Sequence, residues 1–504
     1  FTMIAQGGGT IEFNAANTFL TNTAGSWMRI DGGTTVRVNA VANGGVASPL
    51  GQASATAAQL RINGGTIDYV GTGHSTNRLF ALTANSAITS NGTGALAYTG
   101  TGNIAYTTTS NVASNGRILT LGGANAADNT FRPNLVDGTT ASGLTKTGTG
   151  LWIVSGTNTY TGNTTVSGGT LVVPATGALP GWNSVGRWSV ASGAALGIGN
   201  SFTDANIATL FGTGNFLSGG SFGFSTAAGN RTFSENLADT VAGPLGLVKS
   251  QANTLTLGGT NTYTGGTRID GGAVIVNGSL GTGTVSLGFG TTLRGSGTIA
   301  GTIAGSGTVS VGNSPGILTA VSVDPTGGLG WDFEITGSAP AWATPTASVN
   351  DVLRLTDATS PFTSSLTGAN AVDFLFALPG ADPISAGTYT VGLFTDRATN
   401  FAADVANAAV EFWVLGEFGS LGDRQQFNVG AGGSPVWYTR MAAYDSALSA
   451  SLSVVPMTAD FGSGNVSGFS TSVVVVPEPA SLVLAGLGLA LAGAAAYCRR
   501  SYML

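Results

Sequence analysis

Residues 143–173, GLTKTGTGLWIVSGTNTYTGNTTVSGGTLVV, return almost intact as GLVKSQANTLTLGGTNTYTGGTRIDGGAVIV at residues 246–276, and this repeat is the main indication of the fold. The two copies align without a gap. An internal repeat of this kind is typical of architectures that use one supersecondary unit several times. The signature positions that the copies share are Lys146, Asn158, Tyr160, Gly168 and Gly169 in the first, and Lys249, Asn261, Tyr263, Gly271 and Gly272 in the second.

The differences between the copies predict which side of each strand is buried. Val166 aligns with Ile269, whereas its neighbours Thr165 and Ser167 are replaced by charged residues. Apolar positions that stay apolar beside polar positions that vary indicate a β-strand with one buried face. The Gly-Gly pairs and the Gly-Thr-Asn-Thr-Tyr-Thr-Gly segments are predicted to form the turns.

Composition limits the function classes. The chain of 504 residues has 80 glycines, 42% apolar residues and only 8% charged residues, which is not the composition of a disordered protein. Its net charge of −6 and pI of about 4.7 make nucleic acid an unsuitable partner. Cys498 is the one cysteine, so neither an internal disulfide nor a cysteine metal site is expected. Because the sequence starts at Phe1, we expect a secretory signal, if there is one, upstream.

Residues 1–320 consist of short alternating apolar runs separated by Gly, Asn, Thr and Ser, without a helical periodicity of useful length. Many short strands also suit a β-sandwich or a barrel. The recurrence of one unit favours a solenoid, in which roughly 20 to 30 residues form a coil and the coils bury their apolar strip by stacking. Residues 321–476 have longer apolar strands and are predicted to be a β-rich region that caps the stack.

The last segment, residues 477–504, differs from the rest. Pro477-Glu478-Pro479 precedes an uncharged run at 480–497, and Arg499 and Arg500 follow soon after. As a helix this run would span about 27 Å, close to the hydrocarbon thickness of a bilayer. The sequence therefore predicts a single transmembrane helix with its basic end in the cytoplasm and residues 1–478 on the other side.

The repeat resembles the autotransporter-associated β-strand repeat, in which Leu-x-Lys-x-Gly-x-Gly-x-Leu is followed by Gly-x-Asn-x-Tyr-x-Gly and Gly-Gly-x-Leu. Both copies carry most of this pattern, although the second has Gln251-Ala252-Asn253 where Gly-x-Gly is usual. The resemblance covers roughly residues 50 to 320. It implies a right-handed parallel β-helix.

The tail resembles the PEP-CTERM sorting signal through Pro477, Glu478 and Pro479 and through the basic end, Arg499 and Arg500. This resemblance implies recognition by an exosortase in the inner membrane of a Gram-negative bacterium. Removal of the tail and delivery to the cell surface or the exopolysaccharide would follow. We therefore expect export through this tail instead of through an autotransporter's own translocating barrel.

Some parallel β-helices are carbohydrate-active enzymes, whose chemistry needs clustered carboxylates. The acidic residues before 320 stand singly in the sequence, and His74 is interpreted as a solvated turn residue. We predict no catalytic, cofactor-binding or metal-binding residues. The acidic residues are Glu12, Asp31, Asp68, Asp128, Asp137, Asp204, Glu235, Asp239 and Asp270.

The remaining candidates each have a structural interpretation and a functional alternative. Trp182 and Trp188 are interpreted as packing residues, with stacking on sugar rings as the alternative. Lys146 and Lys249 are interpreted as satisfied polar positions at the start of each repeat. Three aspartates are interpreted as solvated loop residues, with calcium binding as the alternative: Asp351, Asp357 and Asp382.

Together these patterns predict an exported, non-enzymatic β-solenoid protein of the cell surface or extracellular matrix, structural or adhesive. Its expected partners are an exosortase, exopolysaccharide or another surface protein, and, before processing, the inner membrane. Two alternatives stay open: a polysaccharide lyase or hydrolase on a β-helix, and an adhesin for one specific ligand.

Overall fold

The computed structural model describes residues 2–19, 27–106, 117–312 and 316–334, and after these the shorter ranges 352–356, 372–377, 387–395, 410–415, 425–429, 448–460 and 465–477. From residue 331 onward, side chains are described only at 353–356. Residue contacts divide the chain into two compact units, Phe1–Leu255 with Thr262–Gly272, and Thr256–Asn261 with Ala273–Leu504.

Up to Gly272 the described chain forms short strands, as the alternating runs predict. In chain order they are β1 (Thr2–Ala5), β2 (Gly9–Phe13), β3 (Trp27–Asp31), β4 (Thr34–Val38), β5 (Leu60–Asn63), β6 (Thr66–Tyr69), β7 (Thr72–Thr76), β8 (Ala81–Leu82), β9 (Ser86–Ser90), β10 (Gly94–Tyr98), β11 (Ile118–Gly122), β12 (Asn129–Phe131), β13 (Gly143–Lys146), β14 (Leu151–Val154), β15 (Thr164–Val166), β16 (Gly169–Val173), β17 (Trp188–Val190), β18 (Ala194–Ile198), β19 (Ser221–Ser225), β20 (Arg231–Phe233), β21 (Gly246–Ser250), β22 (Thr254–Leu257) and β23 (Thr267–Ile269).

Strands of the first unit form three parallel ladders, which we name sheets A, B and C. Sheet A has the order β1-β3-β5-β8, and sheet B has the order β2-β4-β6-β9-β11-β13-β15-β17. Sheet C runs β7-β10-β12-β14-β16-β18-β19-β21-β23. Side-chain hydrogen bonds between neighbouring coils join residues 20 to 34 apart, a slightly wider range than predicted. The prediction of an all-β, parallel β-helix fold is confirmed, and its handedness stays a prediction.

The core of the first unit is a set of inward-facing columns. One column of sheet B places one residue of each coil directly above the next, and each of its members is buried. Burial of each large aliphatic side chain contributes about 1.5–3 kcal/mol. The residues before Val166 and Ile269 point outward: Thr165 is half-buried and Arg268 is exposed, as the comparison of the copies predicts. The column contains Val36, Ile67, Ile88, Leu121, Lys146, Val166 and Val190.

The strands after Gly272 continue the same short pattern before they lengthen. They are β24 (Ala273–Val276), β25 (Ser279–Leu280), β26 (Val285–Leu287), β27 (Thr292–Gly295), β28 (Thr298–Gly305), β29 (Thr308–Val311), β30 (Ile317–Val323), β31 (Gly330–Glu334), β32 (Val352–Leu355), β33 (Val372–Ala377), β34 (Gly387–Thr395), β35 (Val410–Leu415), β36 (Gln425–Val429), β37 (Leu448–Asp460) and β38 (Asn465–Pro477).

Parallel pairing in the second unit continues past residue 320. One ladder joins β24, β27, β29, β31, β33 and β35, and another passes through β28, β30, β32 and β34. Antiparallel pairing begins only with β36 on β35 and with β38 on β34 and β37. The division into a helix at 1–320, a cap at 321–476 and a tail at 477–504 stays a prediction.

The predicted membrane helix lies outside the described residues. Within the described ranges, no helix is long and apolar enough to span a bilayer.

One α-helix, α1 (Asp204–Gly212), interrupts the strands of the first unit, in a region whose sequence shows no helical periodicity of useful length. Its start is fixed by a capping box: the hydroxyl of Thr203 accepts from the Asn206 N–H, and the Asn206 side chain accepts from the Thr203 N–H. Ile207 and Leu210 face the core. The helix is nine residues long, too short for its periodicity to stand out in the sequence. Three single-turn 3-10 helices, Ala57–Gln59, Thr176–Ala178 and Pro325–Gly327, complete the described helical segments.

Candidate functional site

Lys146 of the first repeat copy lies in the aliphatic column of sheet B, yet its ammonium is fully hydrogen-bonded. Nζ donates to the carbonyl oxygens of Thr147 (2.7 Å), Gly148 (3.1 Å) and, in the next coil, Gly168 (3.0 Å). Burial lowers the pKa of Lys146 to about 8, so the group is still largely protonated at neutral pH. The ammonium thus joins the turn of its own coil to the coil above.

Lys249 repeats this arrangement in the second copy. Nζ donates to the carbonyl oxygens of Ser250 (3.1 Å), Gln251 (2.7 Å) and Gly271 (2.7 Å). Burial lowers the pKa of Lys249 to about 8, while the carboxylate of Asp270 acts in the opposite direction. Both lysines are satisfied polar positions, in agreement with their interpretation from the sequence. We call each set of three bonds a lysine clamp.

The Gly-Gly pair of the signature completes each clamp. Gly168 supplies a carbonyl to Lys146, and Gly169 has φ +62°. A Cβ on Gly169 would lie 2.3 Å from the Gly150 oxygen and 2.8 Å from the Lys146 Nζ. Gly272 has φ +65° and is equally crowded by backbone of the preceding coil. A side chain at either glycine would therefore displace the clamp.

The signature asparagines bridge neighbouring coils in a similar way. The Asn158 amide donates to the Ala178 oxygen at 2.7 Å and accepts from the Leu135 N–H at 2.8 Å. In the second unit the Asn261 amide donates to the Ser279 oxygen at 2.6 Å.

The signature tyrosines are fully buried. The hydroxyls of Tyr160 and Tyr263 bond to the hydroxyls of Thr164 and Thr267. The asparagines, tyrosines and lysines are therefore internal, and none is placed to meet a soluble ligand.

Asp137 and Asp239 share a structural role that no sequence pattern predicts. The Asp137 carboxylate accepts from the N–H and hydroxyl of Thr161 and from the Ser142 N–H. The Asp239 carboxylate accepts in the same way from Thr264 (N–H and hydroxyl, both 2.8 Å) and from the Leu245 N–H at 2.9 Å.

Burial alone would raise the pKa of Asp137 and of Asp239, but these hydrogen bonds outweigh it and hold both below the ordinary value. Since the two aspartates fall one position out of alignment between the copies, sequence comparison does not pair them.

The structure corrects the interpretation of His74. It lies within β7, half-buried, and not in a solvated turn. Its Nδ1 is 2.8 Å from the Tyr69 hydroxyl, and the two rings meet edge to face. Its partner is thus a tyrosine and not the carboxylate of a catalytic triad.

The tryptophans pack as interpreted from the sequence. Trp188 is 1% exposed, packs on Phe216 and donates from Nε1 to the Trp182 oxygen at 2.9 Å. The half-buried Trp182 ring meets Phe202 edge to face. A buried Trp188 has no face left for a sugar ring.

A cleft of about 610 Å³ opens between α1 and the loop at 234–243, in the first unit. Its floor is apolar, and its rim carries three of the acidic residues that stand singly in the sequence: Asp204, Glu235 and Asp239. Asp204 is distant in sequence from the other two acids, but all three line one cleft. Apart from the helix start at Thr203, no sequence pattern points to the cleft, because the residues on its two sides are separated by a full coil.

The three rim carboxylates differ in their engagement. Asp204 forms an ion pair with Arg231, whose Nη2 lies 2.9 Å away and whose side chain is only 8% exposed. The Asp239 carboxylate accepts hydrogen bonds from the backbone N–H groups of Leu245 and Thr264. Glu235 is exposed and has no hydrogen bond or ion pair to another described residue. Across the described ranges, no group of three or more His, Cys, Asp or Glu residues is arranged to hold a metal ion.

The sorting-motif residues fall mainly beyond the described chain. Pro477 is the last residue of β38. Glu478, Pro479, Arg499 and Arg500 lie outside the described residues, as do Asp351, Asp357 and Asp382.

Comparison with known families bears on both resemblances. The family described as Passenger-associated-transport-repeat matches residues 144–173 and 247–276, which contain both lysine clamps. The PEP-CTERM protein-sorting motif matches residues 475–500. The chain carries this repeat twice and a PEP-CTERM motif. Both predicted resemblances are confirmed.

One curated relative is similar over a limited segment. The Adhesin BmaC autotransporter of Brucella suis biovar 1 (strain 1330) is 38% identical over 128 residues. The match covers 25% of this chain and 4% of the adhesin's length.

Proposed function

We propose that this chain is an exported, non-enzymatic protein of the cell surface or extracellular matrix of a Gram-negative bacterium, structural or adhesive in role. The observation that carries the proposal is the PEP-CTERM match at 475–500 on a chain of parallel β-coils. The motif implies processing by an exosortase. Membrane attachment before processing, through the apolar run at 480–497, belongs to the same proposal.

An adhesive role is supported by two observations. The segment similar to an adhesin is the first. The second is that the signature residues form contacts between coils. The outward side chains are therefore free to vary, as the replacement of Thr165 by Arg268 between the copies shows. A stack of such coils presents many neutral hydroxyl and amide groups, and weak contacts of this kind gain strength by multivalency. Exopolysaccharide and neighbouring surface proteins are the proposed partners.

The alternative of a carbohydrate-active enzyme has one observation in its favour, the cleft with three carboxylates. Glycoside hydrolysis needs two carboxyl groups free to act on one bond. Asp204 is held by Arg231 and Asp239 by backbone N–H groups, so Glu235 alone is uncommitted. These commitments support a binding role for the cleft over catalysis. Release of reducing ends from a polysaccharide panel by the purified protein, abolished by Glu235→Gln, would favour the enzyme.

The sorting proposal is tested by deleting residues 480–504, and separately by changing Pro477 and Pro479 to alanine, in a host that has an exosortase. We expect the mature mass and the cellular distribution to change in both variants. The matched control changes the exposed pair Arg268 and Asp270 to alanine and should be processed as the wild type. Unchanged mass and distribution after tail deletion would refute the proposal.

A further inference from the structure

The cleft beside α1 lies where the regular coil pattern breaks. Sheet B stops at β17, and Val190 continues only as an isolated bridge to Phe216. Sheet C runs on without a gap from β18 to β19. The chain between these two strands forms α1 and one wall of the cleft. In repeat proteins, insertions of this kind map to one face, which is often the binding face.

The floor of the cleft offers an aromatic and aliphatic surface. Phe211 is half-buried, with one side packed on Phe216 and Phe222 at 5.4 and 5.0 Å between ring centroids, and it also lines the cleft. Val241, at the tip of the facing loop, is fully exposed. The volume of about 610 Å³ lies in the range of roughly 300–1,000 Å³ typical of small-molecule sites.

The rim of the cleft supplies hydrogen-bond acceptors and no free cation. All its ionisable lining residues are acidic. Arg231 is engaged by Asp204, and its guanidinium lies 5.2 Å from the Phe224 ring. An anionic ligand would therefore meet only like charge. An extended peptide would need an open strand edge, whereas the cleft walls are a helix and a loop.

We propose that this cleft binds a neutral saccharide, with the C–H face of a sugar ring on Phe211 and Val241 and ring hydroxyls donating to the Glu235 carboxylate. The proposal rests on the proposed surface role and names the ligand class for it. A pyranose combines an apolar face with a rim of hydroxyl donors, which matches an apolar floor bordered by acceptors. The bound sugar would fix the orientation of the coil stack on a polysaccharide chain.

The test titrates the purified chain with three neutral trisaccharides, cellotriose, laminaritriose and chitotriose, with trigalacturonate as the acidic comparison, by saturation-transfer NMR. We expect at least one neutral trisaccharide to bind and trigalacturonate not to bind. Ala208→Trp fills the cleft from an exposed helix position and should weaken binding more than tenfold. Glu235→Gln removes the charged acceptor and should weaken binding about tenfold. Ala126→Trp, an exposed alanine remote from the cleft residues in sequence, should bind as the wild type.

Binding of no neutral trisaccharide, binding undiminished in Ala208→Trp, or binding of trigalacturonate alone would each overturn the inference. The circular dichroism spectrum of each variant separates a blocked cleft from a misfolded chain. Because the titration uses purified protein, its failure leaves the sorting experiment unaffected. A saccharide-binding protein that is never processed at its tail would instead refute the surface role alone.

Discussion

The two repeat copies share a signature but occupy different sheets. β13 and β15 of the first copy lie in sheet B, whereas the equivalent strands of the second copy, β21 and β23, lie in sheet C. Sheet B ends in the coil between them, where α1 and the cleft occur. Across this irregular coil, the strands of the repeat therefore change from sheet B to sheet C.

The hydrogen bonds of the lysine clamp are the same in both sheets. Lys146 and Lys249 each bond to two carbonyls of their own turn and to one of the next coil. The repeat signature therefore encodes a contact between successive coils and not a position on a particular face. This explains how the chain tolerates an inserted helix and still resumes regular stacking.

A second difference concerns the turn inside the clamp. Gly148 has φ +68°, and Gln251, its equivalent, keeps φ +64° although it carries a side chain. A Cβ on Gly148 would lie 2.4 Å from the Gly123 oxygen of the preceding coil. The second copy has thus made room for a side chain at this position, at the expense of a strained backbone.

Removal of the clamps is expected to give the largest effect. Lys146→Met and Lys249→Met should each destabilise their own copy by about 3 kcal/mol, because three buried carbonyls lose their donor. Hydrogen exchange measured by mass spectrometry in peptides covering 143–173 and 246–276 reads each copy separately. Thr159→Met and Thr262→Met, at equivalent exposed positions of the two copies, are the matched controls and should change exchange little. A loss in only one copy would show that the clamps are not equivalent.

The turn position should separate the copies. Gly148→Ala is expected to cost about 2–3 kcal/mol, since it combines positive φ with a backbone clash. Gln251→Ala should cost about 1 kcal/mol, because its φ strain is already present and the main loss is the hydrogen bond that the Ser225 hydroxyl donates to the Gln251 side chain. The free energy of unfolding from urea denaturation checks both. Equal costs would mean that the second copy has no more room than the first.

The aspartates that precede the two copies, Asp137 and Asp239, should give the smallest effect. Asp137→Asn and Asp239→Asn are each expected to cost about 1 kcal/mol at pH 7, because the hydrogen bonds from the N–H groups and the threonine hydroxyl lose their charged acceptor. Their folded pKa values lie below the ordinary 3.8, so the stabilisation is present above that pH and is lost as the pH falls through the lowered pKa. The difference between wild type and variant in urea should therefore shrink from pH 7 to pH 3. A difference that stays constant with pH would contradict a charge-dependent role.

Much of the fold was predictable because its causes are local. Val166 and Ile269 predict a buried strand face because they stay apolar while their neighbours vary, and both are buried in the structure. The Gly-Gly pairs predict tight turns, and Gly169 and Gly272 have positive φ. The clamp was predictable only as a satisfied polar position, because the carbonyl of Gly168 is separated from Lys146 by a full coil.

The cleft was not predictable for a related reason. Asp204, Glu235 and Asp239 line one cleft because of the path of an irregular coil, and no periodicity in the sequence predicts that path. The pairing of Asp239 with Thr264, 25 residues apart, is equally invisible in sequence.

The strand pattern, the repeat and the sorting motif can be recognised from the residues alone, because alternation, glycine turns and short motifs act within one coil or one segment. The sheet that each copy joins, the carbonyls that each lysine meets and the acids that share a cleft follow from the fold. Those contacts depend on the stacking register between coils, and a single irregular coil is enough to change that register.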